Sequence, residues 1–522
     1  MSLQQISVEG GLSWWHRAVM MLTLGLIAYG IAVDPVVAST AIVAVLIFFA
    51  FLILMVKVAV AMVSDRGVAE IGRLLADEEC PHYTVLLPAF REAAILHQLI
   101  ENIGQIDYPK DKLHVVLLLE ERDQETIDQE TWLRRRGLMP DYVTTLVVPQ
   151  AQAAVAVGRA RQFVGILTFA FRPRKVRRDT SHPAPGPMGK PRALMYAVTQ
   201  GLVHGSKQSG KEDPTSLLVV YDAEDQPELD QLRKAASVFA GSTPNLVCLQ
   251  AVLKWHNASE GILERMLAGQ YAWTFSMMDP GLAAANGVVP LGGTSNHFKV
   301  SALDRVGYWD ANNVTEDLDL GVKLRRAGMR VLMLPSTTYE EATSSIGAQI
   351  KQASRWIKGH PATAIAHTRN PFKLLWDLKI WGMLTFVVVV LGTQPAVVAG
   401  PLFWAMTLCY IATGASIIRE ITPAPAFYIG SLCLLANIYF VFMFMLACMK
   451  TKQYNLVPWM ILLPFYWATI SFAAGIKATW EIVTGNFYYW AKTTHGVNAR
   501  GDQLETRDYI DDMGITSNRR IS

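Results

Sequence analysis

Six apolar stretches, two ahead of a long polar block and four behind it, constrain this chain more than any other feature. Ala18 to Val33 carries no charge and Val36 to Val63 carries only Lys57; further runs lie near residues 379–398, 400–418, 426–449 and 456–477. A helix needs about 20 apolar residues to cross the hydrocarbon of a bilayer, where no water can satisfy an open backbone. The pattern predicts two membrane helices, a water-facing domain, and four more helices. A hydrophobic content of 51% over 522 residues fits that division.

The first run reads as a signal anchor, because no small-residue cleavage site follows it and a second run comes at once. Even numbers of spans on each side of the domain would put the domain and both chain ends on one face of the membrane. Arg17, Arg66, Arg73, Lys373, Lys379 and Lys477 flank the runs on that face, whereas the Asp34-Pro35 turn has no positive charge. The positive-inside bias makes that face cytoplasmic, with Arg419 and Lys450 against the trend. A formal net charge of +3 argues against nucleic acid as a partner. Five cysteines without a CxxC or Cys/His cluster give no zinc signal and suit a reducing compartment.

Within the block, Thr84–Pro88, Leu113–Leu119, Thr144–Val148 and Ser216–Tyr221 are short apolar runs separated by helical patterns. Such runs predict a mostly parallel, doubly wound α/β sheet buried on both faces, with ligands beyond the carboxyl ends of its strands. The predicted divisions are residues 1–78 for the first membrane region, 79–342 for the domain, and 343–377 for interfacial amphipathic helices. Residues 378–480 follow as four spans, and 481–522 as a polar segment. The basic and proline-rich stretch 171–187 reads as a loop, either simply solvated or touching anionic lipid or polymer.

Acids cluster where that architecture expects a site. Asp222, Glu224 and Asp225 follow the fourth apolar run, and three carboxylates so close repel one another unless a cation joins them. Mg²⁺ or Mn²⁺ carrying a diphosphate fits, and an acidic helix cap is the alternative. Glu120 and Glu121 end an earlier run, suited to a base or ribose or simply to a solvated turn. Thr315-Glu316-Asp317 reads either as a helix cap with favourable acids or as a carboxylate base for an attacking hydroxyl. Gln352, Arg355 and Trp356 share one helical face. They suit a diphosphate and a sugar ring, or an interfacial helix among lipid headgroups.

Taken in order, Pro88-x-x-Arg91-Glu92, Glu120-Glu121, Asp222-Ala223-Glu224-Asp225, Thr315-Glu316-Asp317 and Gln352-x-x-Arg355-Trp356 resemble the membrane-embedded family 2 glycosyltransferases of the cellulose synthase and hyaluronan synthase group. Gly189 to Leu194, Gly292 to Phe298 and Arg355 to Gly359 look closest to the bacterial exopolysaccharide branch, over residues 80 to 500. The resemblance implies a GT-A domain between two N-terminal and four C-terminal membrane helices, in the inner membrane. It implies an inverting, processive transferase that builds a β-linked polymer from a UDP-hexose, UDP-glucose foremost, and moves it across the bilayer. Its partners would be that donor, the growing polysaccharide and the lipid, with room for periplasmic or outer-membrane export subunits. Glu120 or Glu121 would meet the uridine, Asp222 with Glu224 or Asp225 the metal, and Asp317, beside Glu316, would be the base. Gln352, Arg355 and Trp356 would frame the diphosphate and acceptor, with Lys190 and Arg192 as further donor contacts. Gly293, Thr294, Asn296 and His297 would adjoin the acceptor. Phe487 to Gly496 stands where the family has a gating loop, with Lys492, Thr493 and His495 as phosphate donors; a juxtamembrane aromatic anchor is the alternative. The Glu-Glu pair and the Asp-Ala-Glu-Asp run depart from the family's usual acids, and the tail is too short for a fused cyclic-dinucleotide barrel. The rival readings are a non-processive transferase acting on a lipid-linked acceptor and an idle envelope subunit or receptor.

Overall fold

The computed structural model describes residues 3–150, 189–414, 420–421 and 424–484. The stretch 171–187 and the segment holding Lys492, Thr493 and His495 lie outside them. Among the described residues eight strands form one sheet: β1 Tyr83–Ala89, β2 Leu113–Glu120, β3 Val143–Val148, β4 Leu217–Val220, β5 Gln226–Pro227, β6 Leu246–Trp255, β7 Asn296–Lys299 and β8 Arg330–Glu340. Their order is β3-β2-β1-β4-β7-β6-β8-β5. β3, β2, β1 and β4 are parallel, as their continuous apolar runs predict, because helices cover both faces and no polar alternation is needed. β7 then runs antiparallel between β4 and β6, and β5 antiparallel beside β8, while β6 and β8 are parallel. The sheet is therefore mixed. The parallel half matters for the site because it brings the ends of β1, β2 and β4 to one edge.

Among the described residues, six helices are long and apolar enough to cross a membrane, two before the domain and four after it. Trp14–Val33 and Pro35–Met62 form a hairpin capped by Asp34, whose carboxylate accepts from the Val36 and Val37 amides. The second helix returns to the domain, where Gly67 lies so close to the Pro280 carbonyl that a Cβ would be 1.7 Å from it.

The later helices differ from a simple series of four crossings. Pro371–Phe386 breaks at Lys379, where φ is 58°, so its first half lies apart from the apolar run. The second half packs on the domain: Thr385 Oγ1 accepts from the Val288 amide at 3.0 Å, and Phe386 is fully buried. It continues through Gly392, whose φ of −80° and ψ of −23° are helical, into Thr393–Thr413. Ala424–Lys450 ends beside the domain, with Lys450 Nζ 2.6 Å from Asp65 Oδ1 and 3.0 Å from the Ser276 carbonyl. Lys450 is therefore held against the domain. The last apolar stretch, Tyr454–Val483, lies along the helix Ile346–His367, joined to it by Gln349 Nε2 to Tyr466 Oη at 2.9 Å and Lys358 Nζ to Glu481 Oε2 at 2.8 Å.

Candidate active site

The parallel strand ends, the start of helix Glu316–Arg326 and the middle of helix Ile346–His367 surround one cavity of about 200 Å³. Glu120, Lys190, Asp222, Glu224, Gly293, Thr294, Glu316, Asp317, Gln352, Arg355 and Trp356 all line it. Residues spread over more than two hundred positions are thus brought to one place by the sheet edge and two helices.

Two glycines allow this closeness. A Cβ on Gly359 would lie 2.1 Å from Thr315 Oγ1, so only glycine lets the Arg355-Trp356 helix press against the loop before the acids. Gly293 has φ +81°, and a Cβ there would come 2.9 Å from Asp317 Oδ2. Thr315 precedes the helix but makes no side-chain cap bond; its hydroxyl meets Asn313 Oδ1 at 3.3 Å. Glu316 and Asp317 therefore face the cavity rather than complete a cap.

Burial, and then the neighbouring Asp317 charge, push the Glu316 carboxyl up to about 8. Burial raises Asp317 as well, but its Oδ1 accepts from the Leu318 amide at 2.7 Å, which favours the ionised form. Burial thus raises both carboxyls of the pair, and at Asp317 the Leu318 amide opposes the rise. Lys190 opens the helix Lys190–Thr199, bonds Asp222 Oδ1 and donates to the Gly293 carbonyl at 3.0 Å. Burial opposes its charge, yet Asp222 and Glu316 hold its pKa above the ordinary lysine value.

The acids after β4 divide in two. Asp222 and Glu224 face the cavity. Asp225 is buried beneath them, its Oδ2 accepting from the Asp222 amide at 2.8 Å and from the Thr294 hydroxyl, while Oδ1 has no hydrogen-bond partner. Among the described residues no three acids, histidines or cysteines close into a ready cage for a metal. Mg²⁺ characteristically takes one or two carboxylates and completes its shell with phosphate oxygens and water. Asp222 and Glu224, with the orphaned Asp225 oxygen behind them, fit that donor set.

Other expected residues stand outside the cavity. Glu121 is exposed and accepts from the Gln150 amide at 2.6 Å. Arg192 is buried and donates to the Pro149 carbonyl at 2.7 Å. Asn296 and His297 belong to central strand β7, where their side chains bond Gln250 and Tyr83 inside the domain; the His297–Tyr83 contact is 2.6 Å. Each is held by the fold, and the last two, which the family resemblance had set beside the acceptor, lie inside the domain.

Five lining residues escaped the sequence. The Arg122 guanidinium lies 4.4 Å from the Phe90 ring centroid and its Nε 2.7 Å from Glu120 Oε2, giving a flat, charged wall at the β2 end. Trp255 ends β6, stacks on Tyr271 with centroids 4.2 Å apart, and leaves its indole N–H without a partner at the cavity. Glu340 ends β8 in register with Trp255. Burial, and then Asp225 and Glu224, raise Glu340 well above the usual carboxylate range. The rule that found Asp222, an acid at the end of an apolar strand, also finds Glu340 once residues 330–340 are seen as a strand.

Residues 217–471 match the family model described as Glycosyl transferase family group 2. Over 178 residues the chain is 28% identical to glucomannan 4-beta-mannosyltransferase 9 of Arabidopsis thaliana, covering 33% of each chain. Over 199 residues it is 25% identical to the probable glucomannan 4-beta-mannosyltransferase 9 of Oryza sativa subsp. japonica, covering 37% of this chain and 36% of the relative. The chain thus spans about a third of the length of these curated relatives. Among solved structures, a mannosyltransferase of Pyrobaculum calidifontis in complex with GDP-Man and Mn²⁺ aligns with 85% of this chain and 99% of its own. It does so at 17% identity and a TM-score of 0.45. With the acids, the cavity and the mixed sheet in place, residues 217–471 carry a match to the family 2 glycosyltransferases, within a GT-A-like domain flanked by apolar helices of membrane-spanning length.

Proposed function

We propose that this protein is an inverting transferase that extends a β-linked polysaccharide from a nucleoside-diphosphate hexose at the cytoplasmic face of a membrane. The observation that carries the reading is the convergence of Asp317, Arg355 and Trp356 on one cavity with the Asp222-Ala223-Glu224 edge. Asp317 takes the proton of the acceptor hydroxyl, whose oxygen attacks the anomeric carbon opposite the diphosphate. The bond from that carbon to the diphosphate oxygen breaks, and its electron pair leaves with the diphosphate. Arg355 and Lys190 place positive charge beside the departing group in a partly dry site, where fixed charges act strongly. A divalent cation held by Asp222 and Glu224 would add charge neutralisation at the diphosphate. Glu316, retaining its proton, adds no second negative charge against the leaving group. Trp356 offers a flat face to the acceptor sugar, and stacking of that kind tolerates stepwise movement of a polymer.

The helix bearing Arg355 and Trp356 lies between this cavity and the last apolar stretch, which supports delivery of product toward the membrane. The donor is a hexose carried on uridine or guanosine diphosphate. UDP-glucose follows from the family resemblance, and a mannosyl donor from the names of the plant relatives. Purified protein in lipid should be given UDP-glucose, UDP-N-acetylglucosamine and GDP-mannose, each labelled in the sugar, with Mg²⁺ or Mn²⁺. Label retained on size exclusion after detergent and protease supports the reading. A lipid-extractable single-sugar adduct with every donor rejects polymerisation.

A further inference from the structure

The residues ahead of the first apolar helix are folded against the back of the catalytic site. Asp310 is buried in the loop that leads into Thr315-Glu316-Asp317. Its Oδ1 accepts from the Ser7 hydroxyl at 2.8 Å and the Asn312 amide at 3.1 Å, and its Oδ2 from the Val8 amide at 2.6 Å. Two of these three donors come from the N-terminal segment. A buried carboxylate stripped of them would face the full desolvation cost six residues before Glu316.

The same segment grips the helix that carries Gln352, Arg355 and Trp356. Ile6 and Val8 are buried against Ala362 and Ala366 on that helix. Arg369, just past its end, donates to the Ser7 carbonyl at 2.6 Å, the Val8 carbonyl at 3.3 Å and the Gly11 carbonyl at 3.1 Å. Loop and helix are also tied directly, by Asn313 Nδ2 to Thr363 Oγ1 at 2.9 Å, while Asn313 Oδ1 accepts from the Thr315 amide at 3.1 Å. The N-terminal segment therefore closes a bracket whose two arms hold the base and the diphosphate-binding face. It leads straight into Trp14–Val33, a helix with no buried residue, so the bracket also ties the first apolar helix to the site.

We propose that residues Leu3–Gly11 form a positioning strap for catalysis, in which Ser7 and the Val8 amide, through Asp310, set the loop that places Glu316 and Asp317 against Arg355. Ser7 and Asp310 are positioning residues and touch no substrate. The inference rests on the glycosyl-transfer reading for its kinetic arm but not for its structural one.

The test uses full-length protein in lipid with Ser7→Ala, Ser7→Asp and the double variant Ser7→Asp/Asp310→Asn. Ser7→Asp sets two carboxylates against each other; in the double variant the new amide can donate to the introduced acid. With folded sites counted by nucleotide titration, Ser7→Asp should lower kcat about tenfold or more while leaving donor KM within about twofold. Ser7→Ala should cost less, and the double variant should recover most of the loss. Backbone amides from Asn312 to Asp319 should exchange faster with solvent in Ser7→Asp and slow again in the double variant, an outcome that needs no activity. Unchanged exchange and kcat in Ser7→Asp, or a double variant no better than the single, would overturn the strap. If no donor turns over in wild-type protein while exchange behaves as expected, the functional reading fails and the strap stands.

Discussion

The helix Glu316–Arg326 presents two buried carboxylates less than one turn apart, and they behave in opposite ways. At the cavity, Glu316 is held up to about 8, by burial first and Asp317 second. On the rear, burial also works against the Asp319 charge, but Lys323 at 2.8 Å and His367 Nε2 at 2.9 Å more than offset it, and the carboxyl falls to about 2. The rear network continues through His367 Nδ1 to Arg326 at 3.1 Å and from Arg326 to Asp377 at 2.7 Å, binding three helices together. Equal burial thus leaves one carboxyl low, where Lys323 and His367 adjoin it, and the other high, where a second carboxyl does.

The sharpest way to break the comparison is Asp317→Asn. It should cut turnover about 1,000-fold, or about 4 kcal/mol of barrier, with little change in nucleotide affinity, because a base acts on the acceptor. Steady-state kinetics beside nucleotide titration measures both, and near-normal turnover would remove Asp317 as base. Asp319→Asn should do the reverse. Lys323 loses its buried partner, stability drops by about 3 kcal/mol, and turnover per folded site stays close to normal. Denaturant or thermal unfolding in lipid or detergent provides the measure.

Acidity tests the same contrast more gently. Folded Glu316 keeps its proton up to about 8, whereas the unfolded chain releases it near 4.5, so stability falls as pH rises through that window. Asp319 runs the other way: its contribution is complete above 3.8 and lost as pH falls through about 2. Glu316→Gln should therefore flatten the melting temperature between pH 5 and 8, by on the order of 2 kcal/mol, and leave the acid limb in place. The smallest effect belongs to a cavity group outside the helix. Trp255→Phe keeps the stacking on Tyr271 and removes one N–H, which should raise the acceptor KM by about threefold while leaving donor KM alone.

Much of the site was legible because its signals are local. Asp222, Glu224 and Glu120 follow apolar runs that suggest buried parallel strands, and Gln352, Arg355 and Trp356 share a helical face whatever surrounds them. Asp225, Asn296 and His297 show the limit. Nothing in the order of residues says which acid of a cluster turns inward, or that the residues after Gly293 form a central strand. Trp255 and Glu340 were missed because β6 and β8 had not been recognised, and their register alone sets these two residues side by side.

The sequence by itself determined the division into apolar helices and a buried sheet, because hydrophobic length and run pattern act at short range and need no partner. It also placed acids at strand ends and a basic, aromatic face on one helix. Tertiary structure decided which of those groups meet, that the helix Pro371–Phe386 breaks at Lys379, and that Lys450 comes back to Asp65. It decided too that Glu316 shares its burial with Asp317 while Asp319 is paired with Lys323 and His367. Each of these depends on a distance between residues far apart in the chain, and the energy of a charge depends on what lies within a few ångströms of it, whatever its neighbours in the sequence.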